Sequence, residues 1–565
     1  PTISMTITLA TVYAPIGFQG GLTGSLFREF AFTLSGAVVI SGVVALTLSP
    51  MMSSQLLHSN KEIHGFEKWL NLLFDKIKNL YKAILIETLA SRFLTITVGL
   101  IIGVLWIPFF LFSGKEPAPN EDQGVVFGIV QAPPNASLDQ TTFFSNQFYE
   151  RFSKFPECDI TFQIINPTGG FSGMVLKPWS QRHRTAQEIS QAAMGTFSDL
   201  AGIQFIAVTP PPLPGGSDFP VEFILSSTDE PRHLLDYSQQ LVAKAFQSGK
   251  FMFADCDLKF DIPQTEIILD RDKVASMGLT LQGVSEDLGS MLGGNYVNRF
   301  SIQGRSYKVI PQIKRSQRLN PEQIQNLYVG GPQGKLVPLS TFATLKNTVE
   351  PRQLNRFQQL NSVKIYGPPM PGTTLDDALK FLETEARKIV PPDYTIDYSG
   401  QSRQLRKESA SIIQTFGLAI ILIYLVLAAQ FESFRDPLII LLGSVPLALT
   451  GALVFVFFGV NHSTINIYTQ VGLITLVGLI SKNGILIVEF ANKLQEEGYS
   501  KLDAVREAAS TRLRPILMTT AATVFGHLPL VFVSGAGAAA RNNIGIVLVT
   551  GMTIGTIFTL FIVPS

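Results

Sequence analysis

Eight long apolar stretches dominate the chain, at about 2–18, 31–50, 93–113, 411–430, 437–458, 469–492, 513–534 and 542–564. Each approaches or exceeds the roughly 20 residues a helix needs to cross a bilayer, and a helix satisfies its own backbone donors and acceptors there. The pattern predicts a polytopic α-helical membrane protein. Residues 114–410 read differently. GVVFGIVQ (124–131) and DITFQII (159–165) are strand-like around a helical stretch at 138–155. The order recurs with VEFILSS (221–227) as strand, 231–247 as helix, and FMFADCDLKF (251–260) and TEIILD (265–270) as strands. Small split-βαβ subdomains joined by the linker TPPPLPGGSDFP (209–220) account for this. The predicted fold class is α+β, a transmembrane helical bundle carrying a soluble domain.

Basic residues set the topology. Lys61, Lys68, Lys76, Lys78, Lys82 and Arg92 follow the second stretch; Lys493, Lys501, Arg506, Arg512 and Arg514 follow the sixth. The positive-inside rule puts both groups in the cytoplasm, and one span then carries the chain out to the soluble block. That block is periplasmic in a Gram-negative cell. The loop GVNHSTI (459–465), whose only titratable residue is His462, fits the outer side.

Composition narrows the class further. Charged residues make up 15% of the chain, against about 25% in soluble proteins. A net charge of +1 gives no argument for nucleic acid. Cys158 and Cys256 are too few for a disulfide framework. The first residues also match the last at a constant offset: Pro1 falls on Pro515, Pro15 on Pro529, Gly21 on Gly535 and Pro50 on Pro564. Transporters are often built from internal repeats. The chain therefore reads as the tail of one repeat followed by nearly all of a second.

One polar residue interrupts the sixth stretch. Within VGLITLVGLISKNGILIVEFAN (471–492), Lys482 stands near the middle. A lysine at the midplane costs about 2.5–3.5 kcal/mol on insertion scales. No Asp or Glu lies in the middle of the other stretches. Glu489 is on the same helix face but roughly 10 Å further along the axis. Lys482 is then neutral, or faces water, or has its counter-charge in the absent part of the first repeat. Intramembrane lysines with carboxylate partners are typical of proton relays; snorkelling to an interface is the plainer explanation.

Several motifs occur in order along the chain: GGLTGSLFREFAFTL (20–34), LTLSPMM (46–52), EDQG (121–124), LKPW (176–179), GGNYVN (293–298), AAQFES (428–433), SKNGILIVEF (481–490) and RLRPILMT (512–519). Through them the whole chain resembles the resistance-nodulation-division exporters, in particular the hydrophobe/amphiphile multidrug subfamily of AcrB and MexB. The resemblance implies a pump of twelve helices, of which this chain holds the fifth to the twelfth. Lys482, Arg512 and Thr519 match the family's proton-relay positions, whose paired aspartates lie on a fourth helix absent here. Positive-inside anchoring explains Arg512 equally well. A threonine such as Thr519 commonly bonds back to its own helix, and Asn483 is as readily a helix–helix hydrogen bond.

The resemblance also implies a drug-binding surface lined by Phe127 and Ile129 on the first strand, Gln163 and Ile165 on the next, and Phe205 before the linker. For Phe127 and Ile129, alternation on a half-buried strand is the competing explanation. A glycine-rich switch loop is expected in NPTGGFSGMVLKPW (166–179), shorter than the family pattern, with Gly169, Gly170 and Phe171 keeping its flexible, aromatic character. The implied layout is transmembrane helices and a cytoplasmic connecting segment (51–92) over 1–113, and a porter subdomain at 114–208. A second porter subdomain spans 209–267 and 351–400, a docking subdomain 268–350, and the remaining helices 401–565. The implied activity is proton-driven export of amphiphilic small molecules from the inner membrane. The implied assembly is a homotrimer with a periplasmic adaptor (membrane fusion protein) and an outer-membrane channel. No nucleophile or metal motif stands out, and no cofactor beyond protons is implied. A heavy-metal exporter would need clustered methionines, and Met174, Met194 and Met252 are spread over three elements. A membrane-anchored binding or assembly module without transport is the third reading.

Overall fold

A computed structural model describes residues 2–18, 20–56 and 66–565. Lys61 lies outside them. The chain opens with helices α1 (Thr2–Phe18) and α2 (Gly21–Leu56), followed by α3 (Phe66–Ala90), α4 (Arg92–Val104) and α5 (Trp106–Phe112). The connecting segment is thus helical over α3, whose Tyr81, Leu85 and Leu89 recur every fourth residue and are buried. The stretch expected as one span at 93–113 runs over Arg92–Phe112, with its helical ladder interrupted at Leu105. Pro108 has no N–H to give the Val104 carbonyl, so the helical ladder is interrupted there.

The first soluble unit is β1 (Val125–Gln131), α6 (Leu138–Phe152), β2 (Cys158–Asn166), β3 (Gly169–Leu176), α7 (Ala186–Phe197) and β4 (Gln204–Val208). Its sheet order is β2-β3-β1-β4, antiparallel throughout. Helices α6 and α7 cover one face around Val126, Phe148, Phe152, Met174 and Phe197. Asp122 fixes the unit to its connector: it forms a buried two-pronged ion pair with Arg182 at 2.6 and 2.7 Å and accepts from the amides of Gly124 and Ala186. Burial opposes ionisation of Asp122, but these donors outweigh it and hold its carboxyl below the usual range.

The second unit starts with β5 (Val221–Ser227), α8 (Pro231–Gln247) and β6 (Asp255–Cys256). An insertion follows: β7 (Phe260–Leu269), α9 (Arg271–Ser276), α10 (Leu281–Leu292), the hairpin β8 (Asn298–Ile302) and β9 (Arg305–Val309), β10 (Tyr328–Gly330), β11 (Leu336–Pro338) and β12 (Ala343–Pro351). Strand β12 pairs back onto β7 and closes the insertion. The unit then resumes with β13 (Asn355–Phe357), β14 (Leu360–Gly367), α11 (Leu375–Ile389) and β15 (Thr395–Tyr398). Its sheet runs β15-β5-β14, with β6 and β13 also on β14. Setting β13 aside, both units have the same split-βαβ order, one continuous and one interrupted. The strand expected over 251–260 shrinks to β6, with Phe251 in an isolated bridge to Pro369.

Five long helices complete the chain: α12 (Gly400–Phe431), α13 (Arg435–Phe457), α14 (Ile467–Glu496), α15 (Lys501–Phe532) and α16 (Ala538–Ile562). Among the described residues seven helical stretches are long and apolar enough to span a membrane, and α1 adds a shorter one. Helix α14 is the most enclosed, with 78% of its apolar window buried against 11% for α15. Small residues let the backbones approach: Gly443, Gly451 and Gly555 lie where α13 meets α16, and a Cβ on any of them would come within 2.9 Å of the facing helix.

Candidate functional site

Two sets of side chains carry the expected chemistry. The first is on α14. Lys482 is half-buried, and among the described residues it makes no hydrogen bond or ion pair. One turn earlier Gly478 abuts Val12 of α1, so Lys482 lies on the side of α14 turned toward α1. Its neighbour Asn483 is buried and donates to Thr556 Oγ1 on α16 at 3.1 Å. Thr556 in turn meets Thr520 of α15 at 3.2 Å. Asn483 is therefore the helix–helix bond that the plainer explanation expected.

Neither Arg512 nor Thr519 is bonded to Lys482. Arg512 lies on the fourth turn of α15, not at the helix start, because α15 extends back to Lys501. Its guanidinium stacks 4.6 Å from the Phe490 ring of α14, and its buried Nε has no hydrogen-bond partner among the described residues. Thr519 donates to the carbonyl of Ile516 on its own helix at 3.0 Å, and it is Thr520 that turns into the bundle. The sequence motif points one residue away from this buried hydroxyl, and only the helix's rotation distinguishes the two.

The second set is on the first sheet, and here the strand register divides the expected residues. Phe127, Ile129 and Phe171 share the face that α6 and α7 leave uncovered, with Ile129 directly opposite Phe171. Phe127 and Phe171 are 4.9 Å apart between ring centroids. Phe162 completes a trio, 6.0 Å from Phe127 and 5.9 Å from Phe171. Ile160 and Ile164, 59% and 60% exposed, extend the same face to the sheet edge. Toward β4 the face is closed by Phe219 and Tyr366 of the second unit, packed on Ile206, Ile129 and Val208. Burial pushes the Tyr366 phenol up to about 12.

Gln163, Ile165 and Phe205 lie on the opposite face, which corrects their expected role. Gln163 pairs in register with Ser172 and donates to the Ser145 carbonyl of α6 at 3.0 Å. Phe205 is sealed among Phe148, Phe152 and Phe197, with centroids 5.2, 5.8 and 4.4 Å away. On a strand a shift of one residue reverses the face, so Phe162 and Ile164 take the face expected of Gln163 and Ile165. Alternation of the apolar residues Ile160, Phe162 and Ile164 was the available signal.

The expected switch loop is also corrected. Gly169, Gly170 and Phe171 belong to β3, paired on both sides, and only Pro167 and Thr168 form the turn. Gly169 has φ of +142°, and a Cβ there would lie 2.1 Å from the Val130 carbonyl oxygen. At Gly170 the same distance separates a Cβ from the Ile164 oxygen. These glycines permit tight strand pairing rather than loop motion.

The family model described as AcrB/AcrD/AcrF family matches residues 1–565. An uncharacterized transporter of Haemophilus influenzae (strain Rd) is 42% identical over 574 residues, covering 100% of this chain and 55% of that protein. The toluene efflux pump membrane transporter TtgB of Pseudomonas putida is 32% identical over 588 residues, covering 100% and 55%. The multidrug export protein AcrF of Escherichia coli (strain K12) is 32% identical over 590 residues, covering 100% and 56%. The chain spans about half the length of these curated relatives.

Proposed function

The chain belongs to the AcrB/AcrD/AcrF family of resistance-nodulation-division efflux transporters, multi-pass proteins of the inner membrane, and from that premise we propose that it forms part of a proton-driven pump for amphiphilic small molecules. The observation that carries the reading is the open aromatic face formed by Phe127, Phe162 and Phe171. A sizeable apolar surface exposed on a soluble unit marks a binding site. Burying one phenylalanine against an amphiphile gives about 1.5–3 kcal/mol, and apolar burial is non-directional, so such a face accepts many shapes. The two split-βαβ units act as porter subdomains and the insertion between β6 and β13 as the docking subdomain. The working assembly is a homotrimer with a periplasmic adaptor and an outer-membrane channel.

Energy enters at α14. A cation near the middle of the most enclosed helix is costly, and function explains its retention. Lys482, with Arg512 and Thr519 on α15, is the proton-relay group; protonating a carboxylate partner of Lys482 removes an attraction that is strong in a low-dielectric site and biases the bundle between two arrangements. The test is a resistance profile over several unrelated compounds in the intact protein. Lys482→Ala lowers resistance to all of them at unchanged expression, because the driving force is gone. Phe171→Ala changes resistance unevenly from compound to compound. Full resistance in Lys482→Ala removes the relay; uniform loss in Phe171→Ala makes the aromatic face structural.

A further inference from the structure

The strand-like connector leaving α5 holds a carboxylate that the relay does not use. Residues 114–117 run beside the start of α14: Ile465 N–H donates to the Gly114 carbonyl at 2.8 Å, Glu116 N–H to the Ile465 carbonyl at 3.2 Å, and Ile467 N–H to the Pro117 carbonyl at 3.2 Å. Thr464 Oγ1 donates to Glu116 Oε1 at 2.5 Å. Behind Thr464 lies a sealed amide pair. Asn466 Nδ2 donates to Thr464 Oγ1 at 3.0 Å and to Asn543 Oδ1 of α16 at 3.2 Å, while Asn466 Oδ1 caps α14. Five residues on, Glu121 accepts from the Ala540 amide in the first turn of α16 at 2.7 Å. The connector to the first soluble unit is thereby tied to the outer ends of both α14 and α16.

We propose that Glu116 is a proton-operated latch that holds the outer end of α14 against this connector when neutral and releases it when ionised.

Among the described residues, the charged groups around the junction leave Glu116 without a counter-ion. Lys115 stands over the Phe110 ring, on the side of α11 and α12, where Asp376 pairs with Lys380 and Arg406. Glu121 is bound to α16, and Arg541 folds back on the Gly537 carbonyl. His462 precedes α14 in an exposed turn. Burial, opposed only by the Thr464 hydroxyl, pushes the Glu116 carboxyl from an ordinary 4.5 up to about 7. The closed junction therefore binds the proton more tightly than the opened one. Its stabilisation is complete below the ordinary value and is lost as pH rises through about 7. Relief of the buried charge favours opening on the alkaline side.

The experiment is hydrogen exchange in the intact protein in lipid nanodiscs, corrected for intrinsic rates, read at the amides of residues 464–468. In the wild type the opening equilibrium rises roughly tenfold from pH 6 to pH 8, the linkage expected of one carboxyl so shifted. Glu116→Gln keeps an oxygen for Thr464 and cannot ionise, so its protection is flat with pH, lies roughly thirtyfold above the wild type at pH 6 and matches it only below the ordinary value of 4.5. Glu116→Ala loses protection at both pH values. The latch is overturned if Glu116→Gln retains the wild-type slope, or if His462→Asn removes it. The readout is exchange and not efflux, so the result is independent of the transport reading.

Discussion

The two soluble units share a sheet order and differ in the chemistry of the same face. In each, two helices cover one side of the sheet and leave the other to be used. In the first unit that other side is Phe127, Phe162, Phe171 and their isoleucine neighbours. In the second it is Glu222, Ile224, Ser226, Lys364 and Tyr366, with Lys364 Nζ 2.9 Å from Glu222. The second unit's polar face is occupied by its exit into the membrane. Ser399 Oγ donates to Glu222 Oε2 at 2.5 Å, and Ser402 Oγ accepts from the Glu222 amide at 3.0 Å and donates to the Pro220 carbonyl at 2.9 Å. These serines flank the start of α12. One scaffold therefore serves as an apolar surface in the first unit and as a mechanical attachment in the second.

The comparison is broken most severely by damaging the covered side of the first sheet. Phe205→Ala empties a site among three other rings and costs about 3–5 kcal/mol. The intact protein should melt well below the wild type, with all compounds affected together. A normal melt with an altered drug profile would return Phe205 to the binding face. Glu222→Ala tests the second sheet. It strands Lys364 and the Ser399 hydroxyl, and costs about 1–3 kcal/mol. Increased protease sensitivity should concentrate at 217–222 and 398–402, with the first unit unchanged. Equal loosening of both units would mean that the two are not separately anchored. Phe162→Ala has the smallest effect on folding, about 1 kcal/mol, because the ring is only half-buried against Phe127 and Phe171. It should nevertheless shift resistance between compounds as Phe171→Ala does, while Gln163→Ala leaves the profile unchanged. The reverse pattern would exchange the two faces.

Much of this architecture is legible along the chain because it depends on local pattern. Apolar runs predict which stretches form the long helices, since a helix of that length and composition has only the bilayer or the protein interior to enter, although α2, α12 and α15 begin ten or more residues before the expected runs. The order of strands and helices predicts the split-βαβ units, and the linker at 209–220 separates them. Helix α3 is less legible, because an amphipathic stretch among lysines reads as a basic connector until a packing partner buries Tyr81 and Leu85. The interrupted ladder at Leu105 is legible in retrospect through Pro108.

The sequence by itself determined that this is a membrane protein with a large α/β insertion, that its motifs are those of an efflux family, and that a lysine lies near the middle of one span. Tertiary structure alone decided which faces the candidate residues take. Gln163 and Phe162 are adjacent, as are Thr519 and Thr520, and pairing register or helix rotation sends one inward and the other out. It also decided that Gly169 and Gly170 serve strand pairing, because the carbonyls of Val130 and Ile164 that exclude a Cβ belong to neighbouring strands. Glu116 shows the same limit most clearly. In the sequence it is one carboxylate beside a proline; its raised proton affinity arises only where residues far along the chain, Thr464, Asn466 and Asn543, pack against the connector and leave it half-buried.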